Sequence, residues 1–263
     1  MEQIRKKIAE SQLKQYMFVV QELTGRELKR KYSRSRLGII WSVLNPLLNM
    51  IVLSLIFSTM FKRSIENYPV YYLCGYVLWS LFTTATNTAM TVLVDNKQML
   101  IKVKLPMQVF VVSRVYTALV NFGYSLIAFI PILLVFRVKL RWPILFIPII
   151  VIFQLMFTLG FSYILSASYV FFGDVKHLYG IVLTLWMYLS ALFYPTESLP
   201  PVMKTVVANN PIYTYIDSLR WIILEGVFPP INTMIKMVIW SIAVYFIGTH
   251  IFNSSKNKIM QKL

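Results

Sequence analysis

Ten carboxylates, two histidines and one cysteine are the groups in this 263-residue chain that could serve as acid, base, nucleophile or metal ligand. Their spacing supports none of these roles. His177 and His250 stand in separate segments, neither beside a cluster of Cys, His or carboxylate, so no metal-ligand set is expected. Asp174 and His177 are the one close acid–histidine pair, too little for a catalytic constellation. Cys74, in "YLCGYVLW", has no disulfide partner and reads as a small buried apolar residue. No carboxylate falls inside a long apolar run, where an ionisable group would mark a proton relay or ion site. That pattern argues against a proton- or sodium-driven carrier and against an embedded hydrolase using paired carboxylates. None of the nine glycines precedes a lysine, so the chain carries no GxxxxGK[ST] phosphate loop. No catalytic and no metal-binding residue is expected, and energy for active transport would come from another subunit.

What must be positioned, then, is a membrane body. Apolar residues make up 57% of the chain and charged residues 14%, against about 45–50% and about 25% in soluble domains. A helix needs about 20 apolar residues to cross a bilayer. Six runs approach that length: 37–61, 70–94, 115–136, 144–166, 178–194 and 234–252, the fifth being short. The runs are continuous rather than alternating, which favours helices over a β-barrel. The formal charge of +16 does not form one soluble patch for nucleic acid but sits at the ends of the apolar runs. With the N-terminus inside, the inner segments hold 18 of the 26 Lys and Arg and the outer ones 7. Both termini are therefore expected in the cytoplasm, although the outer loop "RVKLR" runs against the rule. The first long run begins too late and is too long for a cleavable signal peptide. The expected fold is an all-α integral membrane protein with a single domain: a cytoplasmic arm over 1–36, a six-helix bundle over 37–252 and a cytoplasmic tail over 253–263.

Two segments need separate treatment. In the N-terminal arm, Leu13, Tyr16, Met17 and Val20 form one apolar stripe at helical spacing. Thr24 and Glu27 fit a capping box that would start a second helix. A basic amphipathic helix just before a span suits the membrane interface, with docking to a partner as the alternative. The segment 195–232 contains six prolines among apolar stretches too short to span, which predicts short helices that dip into the outer leaflet. Non-spanning backbone at that depth must be buried in protein or line a cavity.

The stretches "KYSRSRLGIIWSVLNPLL", "DNKQMLIKVKLPMQVFVVSRV", "FFGDVKHLYGIVLTLWMYLSALFYP" and "NNPIYTYIDSLRWIILEG" resemble, in order, the membrane subunits of ABC exporters for bacterial cell-surface polysaccharides. These are the permeases for O-antigen, teichoic acid and capsule. The resemblance implies an interfacial N-terminal helix, six spans, re-entrant helices between spans five and six, and a multi-pass place in the bacterial cytoplasmic membrane. It also implies a homodimer with two ATP-binding subunits and a lipid-linked polysaccharide as substrate. ATP and Mg would be bound by the partner, and this chain would hold no cofactor. A membrane enzyme acting on lipid-linked sugars and an ABC permease for small molecules or drugs are the alternatives. The first lacks the carboxylates and histidines it would need; the polysaccharide-type opening motif weighs against the second.

The resemblance also assigns roles. The loop 95–106, with Asn96, Gln98, Met99, Leu100, Ile101, Lys102, Leu105 and Pro106, becomes the coupling helix that docks on the ATPase. By residues alone an ordinary positive-inside loop is the favoured reading. Arg34 and Arg36 could hold the pyrophosphate of the substrate with their guanidinium forks, or serve only to set orientation. Trp41, Tyr72, Tyr76, Trp79 and Tyr188 could line a sugar conduit, since sugar C–H faces stack on aromatic rings. The aromatic belt at the bilayer interfaces is the other reading. Pro46 is expected to loosen the first span, because it lacks the N–H that would bond one turn back.

Overall fold

The computed structural model describes residues 2–33, 38, 40–60, 65, 67–102 and 105–263, with side chains from residue 14 onward except at 32, 42, 46, 54 and 57–60. Every regular element among them is helical: α1 (Glu2–Tyr32), α2 (Ile40–Met60), α3 (Tyr68–Asp95), α4 (Lys97–Lys102), α5 (Met107–Val135), α6 (Ile147–Phe171), α7 (Val175–Leu189), α8 (Pro201–Ala208), α9 (Pro211–Arg220) and α10 (Ile231–Lys262). A 3₁₀ turn, Trp142–Phe146, leads into α6, and a π-turn, Trp221–Glu225, extends α9. Prolines stand in the first turns of α3, α6, α8 and α9. There the missing N–H has no intrahelical partner to lose and the fixed φ suits the helix.

Four helices, α3, α5, α6 with its leading turn, and α10, are long and apolar enough to cross a bilayer. They replace the runs expected over 70–94, 115–136, 144–166 and 234–252, and all four are longer. α5 begins eight residues before the apolar run, and α10 continues straight through the expected tail to Lys262. α2 continues through position 46 without interruption, and Asn49 donates to the Asn45 carbonyl (3.0 Å) beside it. The expected fifth span departs most. α7 has 15 residues, about 22 Å of helix at 1.5 Å per residue. Residues 190–195 form a turn in which Ala191 takes the left-handed conformation (φ 45°).

α3 is the axis of the bundle. It packs on α2, α5, α6 and α9, and Tyr72, Leu73, Val77, Leu78, Phe82 and Leu93 are buried along it. α6 runs closely along α10, and the two touch where Gly160 meets Gly248. On α6, Gln154, Thr158, Ser162 and Ser166 recur every fourth residue on a wholly buried face. Gln154 Nε2 crosses to the Leu78 carbonyl of α3 at 2.7 Å, a polar tie of the kind that joins helices where apolar burial cannot discriminate among them.

α1 corrects the expected two-helix arm. It is one continuous helix, and the capping-box pair makes tertiary contacts instead. Thr24 donates to the Ser113 carbonyl of α5 at 3.3 Å and accepts from Thr117 at 3.2 Å. Glu27 pairs with Arg114 of α5. The packed face is Tyr16, Val19, Val20 and Leu23, whereas Met17 and Phe18 are exposed. A capping box needs non-helical backbone at its first residue; here the docking of α1 along α5 keeps Thr24 helical.

Candidate functional site

At one end of the bundle α4 joins α3 to α5 through a tight corner. The Asn96 carbonyl accepts from the Met99 and Leu100 amides (3.0 and 2.9 Å), and its side chain donates to the Val92 carbonyl (2.8 Å). Pro106 receives the Val109 amide at 3.0 Å and opens α5. Of the eight residues expected in a coupling element, these two are hinges. Leu100 is 6% exposed and Ile101 62% exposed, so the helix divides into an anchor and a free face. Leu100 enters an apolar cluster with Val20 and Leu23 of α1, Leu93 of α3, Phe110 of α5, and Phe252 and Ile259 of α10. Met99 and Leu105 pack at its edge, while Gln98, Ile101 and Lys102 face outward with Lys97. One cluster thus joins residues of α1, α3, α4, α5, α6 and α10.

The other end is closed by the segment between α7 and α10. α9 is buried along Ile212, Tyr215, Ile216 and Leu219, whereas α8 is exposed except at Val207. A helix too short to span is thus enclosed in protein, as non-spanning backbone among membrane helices requires. Two residues that sequence reasoning passed over hold it. Asn210 uses its whole amide: Oδ1 accepts from Trp186 Nε1 (2.8 Å) and the Ile212 amide (2.9 Å), and Nδ2 donates to the Leu189 carbonyl (2.9 Å) and Ser190 Oγ (3.0 Å). The Asn-Pro pair at the start of α9 was its available signal, since Asn before an N1 proline is a strong helix cap.

The second is Arg220, counted from sequence as one more outer-loop cation. Its buried guanidinium donates to the carbonyls of Ala191 (3.0 Å), Leu192 (3.3 Å) and Tyr71 (3.4 Å) and lies 3.4 Å from the centre of the Tyr71 ring. Tyr71 and Tyr68 hydroxyls donate to the carbonyls of Tyr194 (2.8 Å) and Phe193 (3.1 Å). These contacts stop α7 at Leu189 and fold the turn over the start of α3. Beside them, Asp217 accepts from Tyr213 (3.2 Å) and Trp221 (3.3 Å). Burial raises its carboxyl above the ordinary aspartate range, opposed by the Tyr213 hydrogen bond and by Arg220. Arg220→Met, which removes a shared donor from three carbonyls, is expected to lower the melting temperature of the purified chain, at about 1–3 kcal/mol for buried acceptors that lose a hydrogen bond. Arg220→Lys, a point donor without the planar fork, should fall between.

The aromatic candidates separate. Tyr72 and Trp79 are packed in this chain's own core. Tyr72 lies against Tyr76 (5.5 Å between ring centres) and Phe193 (6.0 Å), and Trp79 against Phe82 (6.1 Å). Their shared helical face is the one α3 turns toward the bundle, so neither opens to a lumen here. Tyr76 is half-buried. Trp41 on α2 and Tyr188 on α7 remain exposed, at 41% and 56%. Arg34 and Arg36 lie outside the described residues.

Residues 19–224 match the model of the ABC-2 type transporter family. The chain belongs to that family. This ABC-2 membrane protein is 31% identical over 258 residues to the O-antigen export system permease protein RfbA of Myxococcus xanthus, covering 96% of this chain and 98% of that one. A Klebsiella pneumoniae protein of the same name is 28% identical over 249 residues, covering 92% and 93%. The polysialic acid transport protein KpsM of Escherichia coli is 18% identical over 253 residues, covering 92% and 95%.

Proposed function

We propose that this ABC-2 membrane protein is the permease subunit of an ATP-driven exporter of lipid-linked cell-surface polysaccharide. It acts as a homodimer with two ATP-binding subunits, with both termini in the cytoplasm. The relatives named for O-antigen export and polysialic acid transport support the polymer as cargo. The observation that carries the division of labour is α4, where a buried Leu100 seats the helix and leaves Ile101 with Lys97, Gln98 and Lys102 as a small apolar-basic docking face. A partner groove that moves on ATP hydrolysis would shift α4 as a rigid piece and, through the shared cluster, tilt α1 and α5 with it. Trp41 and Tyr188 keep their place as conduit aromatics, since their exposed helix faces are available to a second copy. Arg34 and Arg36 keep theirs beside the substrate phosphates.

Ile101→Glu separates docking from folding. Copurification with the ATP-binding subunit and polymer at the cell surface are each expected to fall about tenfold or more, as for an interface anchor, with the melting temperature unchanged. Leu100→Glu should instead remove the protein from the membrane, because it buries a carboxylate in an apolar cluster. Copurification and export at wild-type level in Ile101→Glu would refute the coupling role.

A further inference from the structure

The outer-loop cations that oppose the inside bias form a pocket. Arg137, Lys139 and Arg141, with Asn67, Val138, Leu224 and Glu225, surround about 250 Å³ at the end of the bundle opposite α4. Among the described residues no carboxylate stands within 4 Å of any of the three. Counting Glu225 on the rim, the lining carries two net positive charges.

All three side chains are exposed, on the turn that ends α5 and the stretch that follows it. α5 ends in a complete Schellman motif: the Val138 amide bonds the Leu133 carbonyl (3.0 Å), and the Arg137 amide bonds the Leu134 carbonyl (3.1 Å). The left-handed residue of that motif is ordinarily glycine, yet here it is Arg137 at φ 51°. An arginine there carries a backbone strain that glycine would not. Across the pocket Gly226 (φ 67°) provides a seat, since a Cβ there would stand 2.6 Å from Arg141 Cδ. The arginine stem lies against bare backbone.

The pocket also sits at a membrane boundary. Leu134 and Val135 just before it and Leu145 just after are among the most exposed apolar residues of the chain. Trp142, 70% exposed, packs edge-on to Phe228 at 4.7 Å, as an interfacial tryptophan does. Two guanidinium forks and an ammonium at headgroup depth match phosphate oxygens.

We infer that this corner is a binding site for a phosphate group at the outer membrane surface, taken either from an anionic lipid headgroup or as the phosphate moiety alone. That the surface is the outer one rests on the orientation proposed above; the test needs neither ATPase nor polymer, so its failure is distinct from failure of the exporter reading.

The test is binding of radiolabelled phosphatidylglycerol to the full chain in neutral detergent. Wild type should bind it, and unlabelled phosphatidylglycerol but not phosphatidylcholine should displace it. The triple variant Arg137→Gln, Lys139→Gln, Arg141→Gln should bind about tenfold or more weakly. Arg137→Gly provides the control for folding: it relieves the left-handed strain, so its melting temperature should match or exceed wild type while binding weakens. Displacement by sodium pyrophosphate identifies a site for the phosphate group itself; failure to displace identifies a lipid headgroup held also by its glycerol and acyl parts. Equal binding by wild type and the triple variant, or equal displacement by phosphatidylcholine, overturns the inference.

Discussion

Gly160→Ala and Gly248→Ala each remove the folded protein from the membrane, or lower its melting temperature more than a methyl added at the open glycines of the other helices. A Cβ on Gly160 would stand 2.5 Å from Tyr245 Cα and 2.6 Å from the Val244 carbonyl carbon, and one on Gly248 2.6 Å from the Gly160 carbonyl carbon. All these neighbours are backbone, so no rotamer change relieves the contact. The helices must part, and the loss extends along the whole of the closely packed α6–α10 pair. Overpacking a close interior costs about 1–3 kcal/mol and more when backbone must move; the upper end is expected here. Between helices in lipid, small residues permit the close approach that dispersion contacts require. Gly123→Ala, on α5 with nothing within 4 Å of the added methyl, is the matched control and should be neutral or slightly stabilising. Melting of the purified variants checks both. The double variant of Gly160 and Gly248 should lose less than the sum of the two, since both methyls wedge one crossing.

Arg114→Glu unseats α1. The pair it breaks is largely enclosed, with side-chain exposures of 8% for Arg114 and 22% for Glu27. Removing one partner of such a pair leaves a charge facing a like charge in a poorly solvated place, at about 3 kcal/mol for a pair that retains some solvent. The polar contacts around it, Thr24 to Ser113 and Thr117 and Lys31 to Asn121 (3.3 Å), are too weak to compensate. Trypsin should then cut α1 in its Arg26–Lys31 stretch, where wild type is protected, and the reciprocal double variant Glu27→Arg, Arg114→Glu should regain most of the protection. If lipid alone held α1, charge reversal would leave the cleavage pattern unchanged. Leu23 and Leu100 lie in the same apolar core, so an α1 free of α5 also loses its packing against α4.

The two experiments concern different kinds of information in the chain. Gly160 and Gly248 are unremarkable in a hydropathy profile, because a glycine contributes little to a window average. Their importance comes from where two helices cross. The turn at 190–195 is a similar case: its residues continue an apolar run and read as the end of a span, but Arg220, Tyr68 and Tyr71 capture its carbonyls and end α7 early. Thr24 and Glu27 fit a local capping rule, yet Thr24 reaches Ser113, 89 positions away. Local rules describe what a segment does unaided; a partner of matching polarity from elsewhere in the chain outcompetes them.

The sequence by itself determined the membrane class, the helical architecture, the approximate centres of four long spans though not their ends, the non-spanning helices before α10 and the short basic element between α3 and α5. All of these follow from how many consecutive apolar residues a bilayer demands and from where charge is left at their ends. Only the tertiary structure decided which face of each helix is used. It placed Leu100 inside and Ile101 outside, turned Tyr72 and Trp79 into core, made a clamp of Arg220 and gathered Arg137, Lys139 and Arg141 around one pocket. The physical reason is that transfer into lipid depends on composition summed along a segment, whereas hydrogen bonds, ion pairs and close packing depend on positions to within an ångström. Those positions are set only when the helices meet.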